Sequence, residues 1–428
     1  MASPQMLLDT LTANDEAEFK KSPAEFCSSR VQKQGLAFST TAFGGAVLSG
    51  DDAALALVLG EGAELEEPEA LLGEPFARTS ETYDTISEAF NRACYEELFE
   101  WIPKFKEQGG FSTFRFDDFL DARVRAVRPS VRRLMLRATM PLTLGVSWAD
   151  AVKLVESEAL ASVGVSKMGD LVGLYDSFAR GQAGGLAGQF SRLTGGGSEA
   201  KLQTALAALA GGGDGAALLR GVFSSVEQST ALVCNLLGQT AAHEDWDRQL
   251  AAEQLVALDG WGPQEQIGTE QLAAMPKLRA FTLETLRLLP PARPSRLRLR
   301  AALGELAPGT LLQPEPFIAH LRADTYPDPG RFDPTRFVQG AQAEQGAQPP
   351  PRLGFAGPAQ GGAGAELATA LAQATFVQMR RMFELRLGKQ PPFEPSGFPL
   401  SSIPEGCEVL AEARMYYELK RENKKLRF

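Results

Sequence analysis

Three stretches of this sequence place charges and glycines at spacings that could hold a cofactor. In MPKLRAFTLETLRLLPPA, Glu284 and Arg287 stand three residues apart, so on a helix they share a face and can pair. In FIAHLRADTYPDPGRFDPTRF, Arg336 sits in the run P-x-x-F-x-P-x-R-F from Pro329 to Phe337. In LGFAGPAQGGAGAELATAL, from Leu353 to Leu371, a glycine-rich loop runs into a helix-forming stretch. That loop has the shape of a cofactor cradle, yet it holds no cysteine and no histidine. An isolated E-x-x-R pair is common on helices and decides nothing alone.

Other chemistries are poorly supplied. The four cysteines, Cys27, Cys94, Cys234 and Cys407, form no CxxC pair, which argues against a disulfide framework or a thiolate zinc site. With only His243 and His320 besides, an all-protein transition-metal site is not expected. There is no G-x-x-x-x-G-K-[ST] phosphate loop, no H-E-x-x-H and no G-x-S-x-G elbow. The net charge of -10 disfavours nucleic acid and anionic membrane as partners. No apolar run approaches the roughly 18 to 20 residues of a spanning helix. The opening residues lack a basic start with an apolar stretch behind it, so no secretory signal is read. The expectation is a soluble or peripheral protein, with an organelle open as its compartment if a targeting segment has been removed.

The elements that must position these residues read as mainly helical. GDDAALALVLGEGAELEEPEALL begins with Asp51 and Asp52 as N-cap candidates and continues as an Ala/Leu helix. SETYDTISEAFNRACYEELFEWIPKF spaces Ile86, Phe90, Cys94, Leu98 and Ile102 helically. DDFLDARVRAVRPSVRRLMLRATM is helical on both sides of Pro129, which should end or kink it. The glycine groups at 184–185, 195–197 and 211–213 read as connectors. The longest helical stretch runs through DGAALLRGVFSSVEQSTALVCNLLGQTAAHEDWDRQLAAEQ, and around Leu232 to Leu237 it is apolar enough to be buried on most sides. RLRLRAAL alternates like a strand, placing Arg296, Arg298 and Arg300 on one face. LAPGTLLQPEP offers a turn and a short extended run. Residues 339–352 are a low-complexity loop.

The three stretches, in this order and spacing, resemble the C-terminal half of a cytochrome P450, a haem-thiolate monooxygenase. The resemblance covers roughly residues 218–387 and implies a mainly α, P450-like fold with small β-sheets. The whole of 1–428 would be one domain, with 1–75 a β-containing N-terminal region and 415–428 a basic tail. It also implies that Glu284, Arg287 and Arg336 meet in a buried charged triad. In the family's haem loop, F-x-x-G-x-R-x-C-x-G, Phe355 takes the Phe position and Gly364 the final Gly. Pro358 then stands at the internal Gly, Gln360 at the Arg that grips a haem propionate, and Gly362 at the cysteine. That thiolate binds iron and pushes electron density toward O–O cleavage, and glycine has no side chain to replace it. The acid and alcohol of the family's central helix fall on Ser224 and Ser225, with Glu227 one turn along. Trp101 and Lys104 are a poor substitute for the W-x-x-x-R helix that contacts the other propionate.

These departures lead to the expectation of a non-catalytic pseudoenzyme without haem, kept as a structural or interaction subunit of a larger assembly. Its candidate contacts lie in the tail: Met415, Tyr416 and Tyr417 as apolar anchors, then Lys420, Arg421, Lys424, Lys425 and Arg427. Two alternatives stay open. One is a binder of an apolar small molecule in a vacated pocket. The other is a haem enzyme, a monooxygenase or one acting on hydroperoxides, with an unusual axial ligand or none.

Overall fold

Helices form along this chain where apolar residues recur at three- and four-residue spacing, and each is placed by the face it buries. The computed structural model describes residues 15–40, 46–50, 63–65, 76, 81–99, 101, 124–157, 159–182, 197–258, 266–292, 297–338, 363–387, 402–403 and 406–414. Among them the order is α1 (Asp15–Lys21), α2 (Pro23–Gln34), β1 (Ala37–Ser39), β2 (Val47–Ser49), β3 (Ala63–Leu65), α3 (Tyr83–Phe99) and β4 (Val124–Ala126). Next come α4 (Val127–Leu144), α5 (Trp148–Glu156), α6 (Met168–Gln182), α7 (Ser198–Leu209), α8 (Gly215–Ala242) and α9 (Glu244–Ala257). The chain continues with α10 (Thr269–Ala273), α11 (Pro276–Leu288), β5 (Leu297–Leu299), β6 (Leu311–Pro314) and α12 (Pro316–Ala319). It closes with α13 (Ala363–Met382), β7 (Phe383–Leu387) and β8 (Glu408–Ala413).

The core is built round α8. It packs on α4 and α13, and α3 closes the ring by touching both of those helices. Asp214 caps α8, its carboxylate accepting from Ala216 N at 2.9 Å. From Val222 to Thr240 every residue of α8 is buried. One sheet has the order β1-β2-β6-β5-β3, with β2 and β6 parallel and the other pairs antiparallel. The other has the order β4-β8-β7, all antiparallel. Behind β2 the chain passes so close to α12 that a Cβ on Gly50 would lie 2.5 Å from an Ile318 side-chain carbon.

Burying α8 on all sides forces a solution for Glu227, which is 1% exposed. Arg132 on α4 donates from Nε to Glu227 Oε1 at 2.7 Å and from Nη2 to Oε2 at 3.3 Å. Arg128, one turn earlier, stands 3.6 Å from the same carboxylate, and Tyr175 of α6 donates to it at 3.3 Å. Burial, and then the Glu227 charge, push the Tyr175 phenol well above its ordinary pKa, so it stays a donor.

Three local expectations are corrected. Ala63–Leu65, read as part of a helix, pairs antiparallel with β5; a neighbouring strand edge overrides the helix preference of Ala, Glu and Leu. Val124–Ala126 form β4 rather than a helix, and α4 begins at Val127, so Pro129 lies in its first turn. Its missing N–H has no intrahelical acceptor there, so it neither ends nor kinks the helix. The long stretch through His243 is two helices, with His243 ending α8 and preceding α9. The proposed helix start at Asp51 and Asp52, the glycines of 184–185 and the loop 339–352 lie outside the described residues.

Arg132→Met should cost about 3–5 kcal/mol, because it leaves a buried carboxylate uncompensated. Adding Glu227→Leu to that variant should recover most of the loss. Urea unfolding reads both, and an unmoved midpoint in the single variant would contradict this account of the core.

Candidate functional site

The site is built on α11. Pro276 opens the helix at its first turn, and Glu253 of α9 accepts from Lys277 N at 2.7 Å and Leu278 N at 2.8 Å. These are amides that a helix start leaves without partners. Three turns on, Glu284 and Arg287 are both fully buried.

Arg287 uses all five of its N–H groups. Nε donates to Glu284 Oε2 at 2.8 Å and Nη2 to Oε1 at 2.7 Å. Nη1 donates to the carbonyls of His320 at 2.9 Å and Pro329 at 2.6 Å. Nη2 reaches the Arg331 carbonyl at 3.1 Å. Glu284 Oε1 in turn accepts from Asp333 N at 2.7 Å and lies 3.5 Å from Arg336 Nε. Arg336 is 5% exposed and donates to the Asp328 carbonyl at 3.1 Å. The structure thus brings Glu284, Arg287 and Arg336 together. Around them it wraps the segment 320–337, where Asp328 takes a positive φ of 48° and Asp333 caps the 3-10 turn Pro334–Phe337. The Tyr326 ring covers the Arg287 guanidinium at 5.1 Å.

His320 belongs to this cluster, and no spacing in the sequence pointed to it. Its Nδ1 stands 3.0 Å from the Arg287 carbonyl, an acceptor only, so Nδ1 carries the proton. Burial lowers its pKa from 6.5 to about 3.

The helix behind the glycine-rich loop is anchored to the same scaffold. Gln373 of α13 donates to Thr282 of α11 at 3.0 Å. Gly364 lies in the first turn of α13. Phe355, Pro358, Gln360 and Gly362 lie outside the described residues, as do Lys104 and the tail residues Met415, Tyr416, Tyr417, Lys420, Arg421, Lys424, Lys425 and Arg427.

Ser224 and Ser225 are fully buried on α8. Ser224 Oγ accepts from Gln228 Nε2 at 2.6 Å, and Ser225 Oγ accepts from Phe76 N at 3.0 Å. Phe76 is buried with a positive φ of 56°, unusual for an aromatic residue. Glu227 is committed to Arg132 on α4. Trp101 follows α3 and packs 6.0 Å from the Phe383 ring. Sequence reading missed the Arg128–Arg132–Glu227–Tyr175 cluster. The signal was the four-residue spacing of the two arginines, which puts them on one helix face.

Residues 218–410 match the Cytochrome P450 family model. Over these residues the chain is similar to the cytochrome P450 family. A segment of 117 residues is 36% identical to a protein of Aspergillus flavus described as "Cytochrome P450 monooxygenase dtpC". That segment is 26% of this chain and 65% of the relative, so the match spans just under two thirds of the relative's length. In fold the chain is similar to a solved cyanobacterial structure described as "Retinoic acid bound cyanobacterial CYP120A1". The TM-score is 0.63 at 16% identity, covering 94% of this chain and 96% of that one. The mainly α P450 fold with small sheets is therefore the fold of this chain.

These likenesses overturn the expectation of a non-catalytic fold without haem. The family and its relatives imply a haem cofactor and oxidative chemistry. The physical reason is that an axial bond is one of several contacts that hold a haem; its apolar faces are gripped by burial. A glycine at one loop position is no measure of those contacts.

His320 gives a pH test. Between about pH 3 and 6.5 an unfolded chain protonates this histidine while the folded one does not. The unfolded state then binds more protons, so stability falls as pH falls through that window. The slope from one such group is at most about 1.4 kcal/mol per pH unit. His320→Asn should remove that part of the slope in denaturant unfolding followed from pH 7 to 4; parallel curves for the two proteins would contradict it.

Proposed function

We propose that this chain is a haem-binding oxidoreductase of the cytochrome P450 kind whose iron takes no thiolate from the loop 353–371. The observation that carries the haem-binding part is the intact scaffold on α11. Glu284 and Arg287 bond to each other and hold the segment 320–337, and α13 is tied to α11 through Gln373 and Thr282.

The donor set does not fit a thiolate-bound haem. Between residues 339 and 375 there is no cysteine, histidine, methionine or tyrosine. Cys94 is buried on α3, and burial raises its thiol to about 12, which keeps it protonated. Cys234 is buried within α8. A bound haem would have to take any side-chain ligand of these types from outside residues 339–375.

A hydroperoxide substrate is the second reading, favoured by Ser224. It stands where the family has an acid and is bonded to Gln228, and neither side chain is an acid. A substrate that already carries its O–O bond asks less of proton delivery and of thiolate push.

The test is expression with a haem precursor supplied, followed by pyridine-haemochrome assay and by carbon monoxide binding to the reduced protein. One haem per chain is expected, with a carbon monoxide spectrum unlike that of thiolate-bound haem. A protein that takes up no haem under these conditions contradicts the proposal. A thiolate-type spectrum would contradict its ligand assignment.

A further inference from the structure

Strand β7 ends its sheet. Among the described residues its one strand neighbour is β8, in the order β4-β8-β7. Along β7 the burial alternates. Phe383 is in the core, and Leu385 and Leu387 pack against it. Glu384 and Arg386 point the other way, their side chains 51% and 61% exposed.

The ladder fixes which backbone groups of β7 are already used. Arg414 N donates to the Met382 carbonyl at 2.9 Å, so Met382 and Arg414 form a hydrogen-bonded pair. Bonded and non-bonded pairs alternate along an antiparallel ladder. Glu384 is therefore bonded to Glu412, and Arg386 to Leu410. The N–H and C=O groups of Leu385 and Leu387 face the outer edge. Such an edge is a template for another strand, and proline, lysine or a bulge is its usual protection. Strand β7 contains no proline and no lysine, and it pairs with β8 without a bulge.

The charges name the occupant. Outward-facing backbone groups must meet outward-facing groups, so the partner of each residue can shift only in steps of two along an incoming antiparallel strand. Opposite charges directly across from each other stabilise a pair of strands, and like charges destabilise it. With Leu385 set against Leu385 of a second copy, the whole of β7 overlaps. Glu384 then lies opposite Arg386 of the second copy, and Arg386 opposite its Glu384. A shift in one direction opposes Glu384 to Glu384, and a shift in the other opposes Arg386 to Arg386. The strand is thus self-complementary about a twofold axis, the condition for an isologous contact, in one register alone. Within one chain Arg386 Nε donates to Glu384 at 3.1 Å, a contact along the strand that pairing exchanges for two across it.

We propose that β7 pairs antiparallel with β7 of a second copy of this chain, joining two three-stranded sheets into one. The pairing uses no residue of the Glu284 scaffold and does not rest on haem binding. So short an edge buries less than the roughly 1,200 Å² at which stable interfaces begin, so monomer and dimer should exchange in a measurable equilibrium.

Sedimentation velocity on the full chain, from about 1 to 200 µM, covers the range expected of a small interface. Monomer at the low end and a rising share of dimer are expected. Glu384→Arg and Arg386→Glu each set like charges opposite one another, and each should weaken the dimer by about tenfold. Mixed in equal amounts, the two variants restore opposite charges at both positions. Dimer should then return at concentrations where either variant alone is monomeric. Leu385→Pro removes the outward N–H at the twofold axis and leaves the ladder to β8 its bonds, so it should stay monomeric. If that variant does not fold, the mixed charge variants decide. A chain that is monomeric at every concentration overturns the proposal and leaves the edge to a strand of another protein. A dimer that neither charge reversal weakens overturns it too, as do mixed variants that fail to associate.

Discussion

The guanidinium of Arg287 is the group on which the arrangement of the C-terminal half depends. Five N–H donors must be satisfied once it is fully buried, and Glu284 can accept only two of them. The remaining three fix the carbonyls of His320, Pro329 and Arg331. A connecting segment with little secondary structure of its own is thereby given one path. Its Asp333 amide closes back onto Glu284, and Arg336 brings a second cation to the same carboxylate. Two cations and one carboxylate are tolerable inside a protein because the charges offset one another and every Arg287 donor is met.

The same logic acts at the centre of the molecule. Helix α8 is apolar enough to be buried on all sides, yet it carries Glu227 in the middle. Arg132 and Arg128 come from α4 to meet it and Tyr175 from α6. On the same helix Ser224 is bonded to Gln228 and Ser225 to the Phe76 amide, so its buried polar groups are met within the core.

Much of this was legible in the sequence. The E-x-x-R pair and the run ending at Phe337 pointed to the scaffold through their resemblance to the cytochrome P450 family, which implies that the three charges meet. The helices at 83–99, 215–242 and 276–288 followed from apolar periodicity. Strand β3 did not, because Ala63–Leu65 is extended by its pairing with β5 and not by its own preferences. Pro129 misled for a related reason: its effect depends on whether it stands in a first turn or an interior one. The expectation of a fold without haem rested on departures in the loop, at the propionate contacts and on the central helix, and the likeness to cytochrome P450 proteins overturns it.

Hydrogen–deuterium exchange on Glu284→Gln tests the central claim most directly. The variant keeps the volume but removes the charge that Arg287, Arg336 and the Asp333 amide share. The account predicts that amides between residues 326 and 338, Asp333 foremost, exchange much faster than in the unaltered protein, while those of α8 keep their protection. Unchanged exchange in that segment, or a rise spread evenly over the whole chain, would contradict it.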